Sequence, residues 1–454
     1  MATFVRYNNL SLKTENIDTL DNDLIDVRNQ LMNDVSWGSG KSDFKAVKAS
    51  NNSKADWEKY RPKAHLISES NHPRSFSLEF CDDFFDFDSE GVNHFIGTVA
   101  GDVILNNAIK TIDVDDFWFD SRPDYFPGPK YGIEGIYKDI FNITSEKERP
   151  LLAYSIKPRM GYDIKVFEAV FEAAAEGGAD IIEDDERLID PEYCRFEKRI
   201  EIADRIQKEI LKKHKRLTLY SANITGPLDR MRERVDKAHE KGIRFVKIDV
   251  LVTGFDALRD IAKYIKENKY EIGITVYPDV ISRYRNLSRN FVYKMARLCG
   301  ADIIYAGSPG WSRNVLHSNS LIFECEKVFL RHERLRNKDG DLKEVNSTLA
   351  TMTNDFSAQS AEIISLIFNR YFGSKQFAFF IGYGISSSEK SITEEVKDIK
   401  KRISSAAQTK TDKYEIDPVV PEERARIKQK TKTEWEDYSQ YDMERYLGKY
   451  RRGY

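Results

Sequence analysis

Cysteine is scarce in this chain: Cys81, Cys194, Cys299 and Cys325 are the only four in 454 residues, and none forms a Cys-x-x-Cys pair. That spacing does not suggest a disulfide scaffold, argues against a zinc site and fits a reducing, cytoplasmic compartment. Long apolar runs are missing as well. No uninterrupted stretch approaches the ~20 residues of a membrane span. The opening MATFVRYNNLSLKTEN lacks the basic, apolar and small-residue succession of a signal peptide, so a soluble protein is expected. Neither sign of charge dominates: 71 basic residues offset 74 acidic ones to leave −3, and nothing global draws the chain to nucleic acid or another polyanion. Small molecules or proteins are the expected partners. Histidine is the last shortage, with seven in all. None closes an apolar run of the kind described next, so imidazole chemistry at a strand end would need His94 or another histidine to reach in from elsewhere.

What is present is a repeated pattern. With 41% hydrophobic residues the chain can build one large core and a smaller one, since single cores seldom grow past about 250–300 residues. Between residues 149 and 405, short β-branched runs end in polar or Gly-rich residues and are followed by charged, helix-periodic stretches. The runs are RPLLAYSIKP, GADIIEDDE, RLTLYSANIT, IRFVKIDVLV, EIGITVYPD, GADIIYAGS, STLATMTND and KQFAFFIGYG. Eight such units predict a (β/α)8 barrel, with chemistry at the C-terminal strand ends; an open doubly wound sheet is the alternative. Lys157, Asn223, Asp249, Tyr277, Tyr305, Ser308, Thr353 and Gly382 fall at those ends.

Residues 1–148 are aromatic-rich, carry the acidic patch CDDFFDFDSE and read as a separate, smaller α+β domain. Residues 406–454 are polar and mix both charges with several tyrosines, as a surface helix, an ordered tail or a partner-docking arm would. The second run poses a question of its own. GGADIIEDDERL sets Glu183, Asp184, Asp185 and Glu186 side by side directly after a buried strand. Like charges this close repel, and any held away from water is driven towards neutral unless something positive compensates. Either they splay into solvent or a cation sits among them.

SIKPRMG, Ser155–Gly161, followed by GGADIIEDDE and then NITG, Asn223–Gly226, resembles in order and spacing the large subunit of ribulose-bisphosphate carboxylase, rubisco, and its non-carboxylating, rubisco-like relatives. GTVAGDVILNNAIKTIDVDDFWF and YFPGPKYGIEGI look like the end of the rubisco N-terminal domain, and the likeness runs from about residue 75 to residue 400. The resemblance implies a ferredoxin-like N-terminal domain, a C-terminal TIM barrel and a homodimer whose sites cross the interface. In the family a lysine on the second strand becomes a carbamate and binds magnesium with an aspartate and a glutamate. Here Glu183 stands at the lysine position, while Asp185 and Glu186 remain. Mg2+ held by Glu183, Asp185 and Glu186 without a carbamate is therefore expected, carboxylates being the oxygen donors hard cations prefer. A glutamate falls short of a carbamylated lysine by roughly 3–4 Å. Glu183 would bind through water, draw the ion deeper, or mark a site that has lost its metal and balances charge with Lys157 and Arg159.

Lys157 resembles the family lysine that moves protons to and from substrate, and Arg159 replaces a second lysine, keeping its charge but unable to release a proton. Tyr277 and Tyr305 stand where rubisco has two histidines, as shape-setting walls or as phenols that orient substrate. Asp102 stands in place of an asparagine. The loop SPGWSRNVLHSNS, from Ser308, has no lysine to present to carbon dioxide, and Pro278 replaces a phosphate-gripping arginine, so carboxylation of a bisphosphate is not expected. FFIGYGISSS supplies Gly382, Tyr383 and Gly384 at the turn where barrels of this kind bind phosphate, with Thr353 nearby. The implied function is enolisation or isomerisation of a keto sugar phosphate-like substrate. A relative acting on a different substrate in specialised metabolism, or a degenerate binding or regulatory protein, are the alternatives.

Overall fold

The computed structural model describes residues 2–13, 20–37, 62–66, 74–81, 83–101, 108–120, 123–278, 286–305, 334–336, 342–344, 349–353, 361, 365, 375–382, 385 and 389–409. Strands β1 (Thr3–Leu12), β2 (Lys63–Leu66), β3 (Phe76–Phe80) and β4 (Ile109–Phe119) form an antiparallel sheet in the order β2-β3-β1-β4. Helices Leu20–Trp37 and Phe87–Ile96 fall after β1 and after β3, which makes the β-α-β-β-α-β order of a ferredoxin-like domain. The aromatic richness of this region becomes its core: Phe87, Phe95, Phe117, Phe119 and Phe126 pack edge-on and tilted against one another.

The domain does not stand apart. Phe95 and Phe117 continue onto Phe291 of helix Arg289–Leu298, and Lys294 of that helix reaches Asp116 at 2.8 Å. Asp256 accepts hydrogen bonds from the backbone N–H groups of Val92 and Asn93 and from the Tyr125 hydroxyl. Met1–Ser308 and Glu326–Thr409 accordingly make one compact unit. The other unit, Pro309–Cys325 with Lys410–Tyr454, lies outside the described residues, and so does the tail reading beyond Thr409.

All eight runs read as strands are strands, in the order foreseen: β5 (Leu151–Ser155), β6 (Ile181–Glu183), β7 (Leu219–Asn223), β8 (Phe245–Asp249), β9 (Gly273–Tyr277), β10 (Ile303–Tyr305), β13 (Leu349–Thr353) and β14 (Ala378–Ile381). A two-stranded antiparallel pair, β11 (Arg334–Arg336) and β12 (Leu342–Glu344), is inserted before β13. The eight pair in parallel and close, β14 returning to β5, so the open-sheet alternative is excluded. Inward positions at the strand starts, Leu151, Ile181, Leu219, Phe245, Ile303 and Ala378, pack on Ile133, Ile136, Tyr137 and Ile140, which plug the N-terminal end. Inside the barrel, polar side chains are therefore expected towards the other end, where the turns that follow the strands lie. Among the described residues, no helix is long and apolar enough to cross a membrane.

Candidate active site

Strand alternation decides which of the acidic residues face the barrel interior. Ser155 pairs in register with Glu183 and Glu183 with Ser221, while Lys247 pairs with Thr275, so these polar side chains share the inner face. Glu183 Oε1 lies 2.5 Å from Lys247 Nζ, both side chains almost wholly buried, and Lys247 also donates to the Asp184 carbonyl at 2.9 Å. Burial works against the charge on Lys247, but Glu183 and Glu186 outweigh it and raise its pKa; burial likewise raises Glu183, with Lys247 opposing. The ammonium lies 5.1 Å from the Tyr277 ring centroid and 5.7 Å from that of Phe380.

Asp184 belongs to a different environment. Its carboxylate accepts from the Tyr220 hydroxyl at 2.7 Å, from the Asn223 backbone N–H at 2.9 Å and from Arg199 at 3.3 Å, all buried. Arg199 belongs to helix Phe196–His214, so this pair ties the outer helix to the strand end. Asp185 accepts from Lys157 Nζ at 2.5 Å and from the Arg187 N–H at 3.2 Å, with Arg159 Nε at 3.9 Å and Arg187 NH1 at 3.8 Å. Glu186 is paired with Arg187 at 2.9 Å. Of the two expected outcomes the second is found, with protein cations in place of a single ion: the carboxylates do not splay into solvent, and each has its own basic partner.

Lys157 reaches this position because Gly382 lets it pass: a Cβ on Gly382 would stand 3.1 Å from Lys157 Cε and 3.5 Å from Ser155 Cβ. Asn223 is turned to another task, since its amide donates to the carbonyls of Asp185 and Glu186 and its oxygen accepts from Thr225 N–H. That clamps the acidic turn and leaves Asn223 no donor for a ligand. Tyr277 and Tyr305 meet edge-on at 4.5 Å, and Tyr305 meets Phe380 at 4.4 Å, an aromatic wall beside the ion pairs. Thr353 ends β13 in register with Phe380. Asp102, Ser308, Tyr383 and Gly384 lie outside the described residues.

The three carboxylates expected to hold Mg2+ do not fit that role as arranged. Glu183 is taken by Lys247, Asp185 by Lys157 and Glu186 by Arg187, and among the described residues no three acidic, histidine or cysteine side chains converge to hold a metal. Lys247 and Arg199 were not singled out from the sequence. Their signal was present: a charge at the inward position of FVKID, and an arginine on the apolar stripe of Phe196, Ile200 and Ala203.

A closed barrel behind a β-α-β-β-α-β domain, with an acidic turn ending the second barrel strand, is the arrangement to set beside known proteins. Residues 136–349 match the ribulose bisphosphate carboxylase large chain, catalytic domain. The chain is 28% identical over 235 residues to the ribulose bisphosphate carboxylase of Thermococcus kodakarensis, covering 50% of this chain and 51% of that one. It is 30% identical over 252 residues to the 2,3-diketo-5-methylthiopentyl-1-phosphate enolase of Bacillus velezensis, covering 54% and 60%. The matches thus span about half the length of these relatives. The fold is that of the octameric ribulose-1,5-bisphosphate carboxylase/oxygenase of Pyrococcus horikoshii, with a TM-score of 0.71 at 19% identity over 96% of this chain and 93% of that one.

Proposed function

We propose that the chain is a rubisco-like enzyme that moves a proton on carbon beside a carbonyl, enolising or isomerising a keto sugar phosphate-like substrate without carboxylating a bisphosphate. The observation that carries this reading is Lys157, seated on Asp185 at 2.5 Å with Arg159 and Arg187 within 4 Å of the same carboxylate. Three cations around Asp185, two of them partly exposed, give a mouth that favours an anionic substrate. Lys157 in its unprotonated form takes the α-proton, the C–H pair becomes the new C=C bond, and the carbonyl oxygen gains the charge that the arginines face. The resulting ammonium rests on Asp185 and returns the proton to carbon. No step is routed through magnesium. The named activity of the Bacillus relative, an enolase acting on a diketo phosphate, is of the same class. Pro278 and the lysine-free stretch from Ser308 to Ser320 speak against carboxylation. Assembly as a homodimer is part of the proposal, with cytoplasmic location its expected setting.

The test is solvent deuterium exchange at the α-carbon of a panel of ketose phosphates, followed by NMR. Lys157→Met should slow exchange by at least ~10²-fold; full exchange in the variant would refute its role. Incorporation of labelled bicarbonate into ribulose bisphosphate by the wild type would overturn the non-carboxylating part. No exchange with any of the panel would shift the reading to a binding protein.

A further inference from the structure

The inner face of the barrel holds more polarity than the proton-transfer reading uses. Lys247 is in the middle of the strand Phe245–Asp249, between Phe245 and Val246 on one side and Ile248 and the buried Asp249 on the other, and its ammonium is fixed between Glu183 Oε1 and the Asp184 carbonyl. On either side of Glu183, at the same register level, are Ser155 and Ser221; next to Lys247 is Thr275. All three hydroxyls are buried, at 0%, 0% and 2% exposure, and none has a hydrogen-bond partner among the described groups. Buried hydroxyls without partners are uncommon and call for a ligand or solvent to satisfy them. Oxygen donors and a carboxylate gathered on one inner face are what a hard divalent cation requires. One feature is at odds with that, the ammonium already there.

We infer that Lys247 carries the cation of this site in covalent form: its ammonium occupies the place a divalent metal would take against Glu183, so the site works without metal. Removing that charge should unmask a divalent-cation site built from Glu183, Ser155 and Ser221. In this chain the second barrel strand ends in an acid, Glu183, and the compensating positive charge comes from β8 as Lys247. The inference is independent of the substrate, and its failure would leave the role of Lys157 untouched.

The experiment is a Mn2+ titration followed by electron paramagnetic resonance, using metal-stripped wild type, Glu183→Gln, Lys247→Met and the Lys247→Met/Glu183→Gln double variant, each with and without bicarbonate. Wild type should bind Mn2+ no more tightly than Glu183→Gln. Lys247→Met should bind one Mn2+ per chain at least tenfold more tightly, and the double variant should lose the gain. One Mn2+ per wild-type chain, lost in Glu183→Gln, would overturn the inference. Binding that requires bicarbonate and Lys247 would overturn it too, because Lys247 would then be acting as a carbamate. A folded Lys247→Met without gain would show that the ammonium does not hold the metal's place. Should Lys247→Met not fold, the wild-type titration still decides, and Lys247→Gln, which keeps a polar partner for Glu183, supplies the unmasking arm.

Discussion

The pentapeptide Gly-Ala-Asp-Ile-Ile occurs twice, leading into β6 from Gly178 and into β10 from Gly300. The backbone treats the two alike. Each glycine follows a helix at positive φ, 104° and 115°, a conformation only glycine adopts without strain. Asp180 N–H donates to the Leu152 carbonyl and Asp302 N–H to that of Ile274, each on the preceding strand of the barrel. The carboxylates then part company. Asp180 takes two hydrogen bonds from Arg149, one from Lys400 and one from Leu152 N–H; burial opposes its charge, yet the two cations hold its pKa well below the usual range. Among the described residues Asp302 accepts from the N–H groups of Tyr131, Gly132 and Ile274, and burial pushes its pKa up to about 6. The far ends differ as well, since β6 runs into the ion-paired wall of Glu183 and Asp185 and β10 into the aromatic wall at Tyr305. Local sequence sets the backbone; charge state and chemistry are set by what distant segments bring.

The strongest way to break this comparison is to neutralise the saturated aspartate. Asp180→Asn leaves the largely covered Arg149 and Lys400 charges, each 19% exposed, without their buried partner, which should cost about 3–5 kcal/mol, read as a lower urea midpoint at unchanged slope. Asp185→Asn makes the useful contrast. Two of its three cations, Arg159 and Arg187, are about 40% exposed and can be hydrated, so its stability loss should be about 1–2 kcal/mol while α-proton exchange collapses. Equal losses of stability at the two positions would mean that the mouth is as closed as the barrel floor.

The same contrast explains what could be read from the sequence. All eight barrel strands and their order follow from runs such as RLTLYSANIT and IRFVKIDVLV, because period and punctuation are local properties. Pairing is not local. Lys247 and Glu183 meet across 64 residues of chain and Arg199 reaches Asp184 behind the strand, so the acidic turn read as a metal set when each carboxylate already has a cation. Asn223 makes a related point: a motif gives residue type but not direction, and this amide turns back to clamp the acidic loop. The position of Lys157 is local in the same way as the strands: it is expected at the end of the first barrel strand, and that strand ends at Ser155.

A smaller effect sharpens the comparison through pH. An aspartate whose folded pKa of about 6 lies above its ordinary 3.8 keeps its proton in the native state while the unfolded chain has lost it. Stability from this group is therefore full below about pH 4 and is lost as pH rises to about 6, a total of roughly 3 kcal/mol for a shift of about two units. Asp302→Asn removes the ionisation, so the variant should gain on wild type through that window in chemical denaturation series run in parallel. Asp180→Asn should show no such gain, its wild-type pKa being displaced the other way. A flat difference between Asp302→Asn and wild type would mean that the three N–H groups fully compensate the buried charge.

The smallest expected effect is at the far end of β10. Tyr305 contacts Tyr277 and Phe380 edge-on at 4.5 and 4.4 Å, a geometry that depends on the rings and contributes about 0.5–1.5 kcal/mol per pair. Tyr305→Phe keeps those rings and removes only the hydroxyl, so α-proton exchange should change by less than about threefold and stability by less than about 1 kcal/mol. A general acid removed from the reaction would slow exchange by about 10²–10⁴-fold, a range far outside that limit. A loss of that size would give Tyr305, at the end of β10, a share in the proton chemistry that is here given to Lys157 alone.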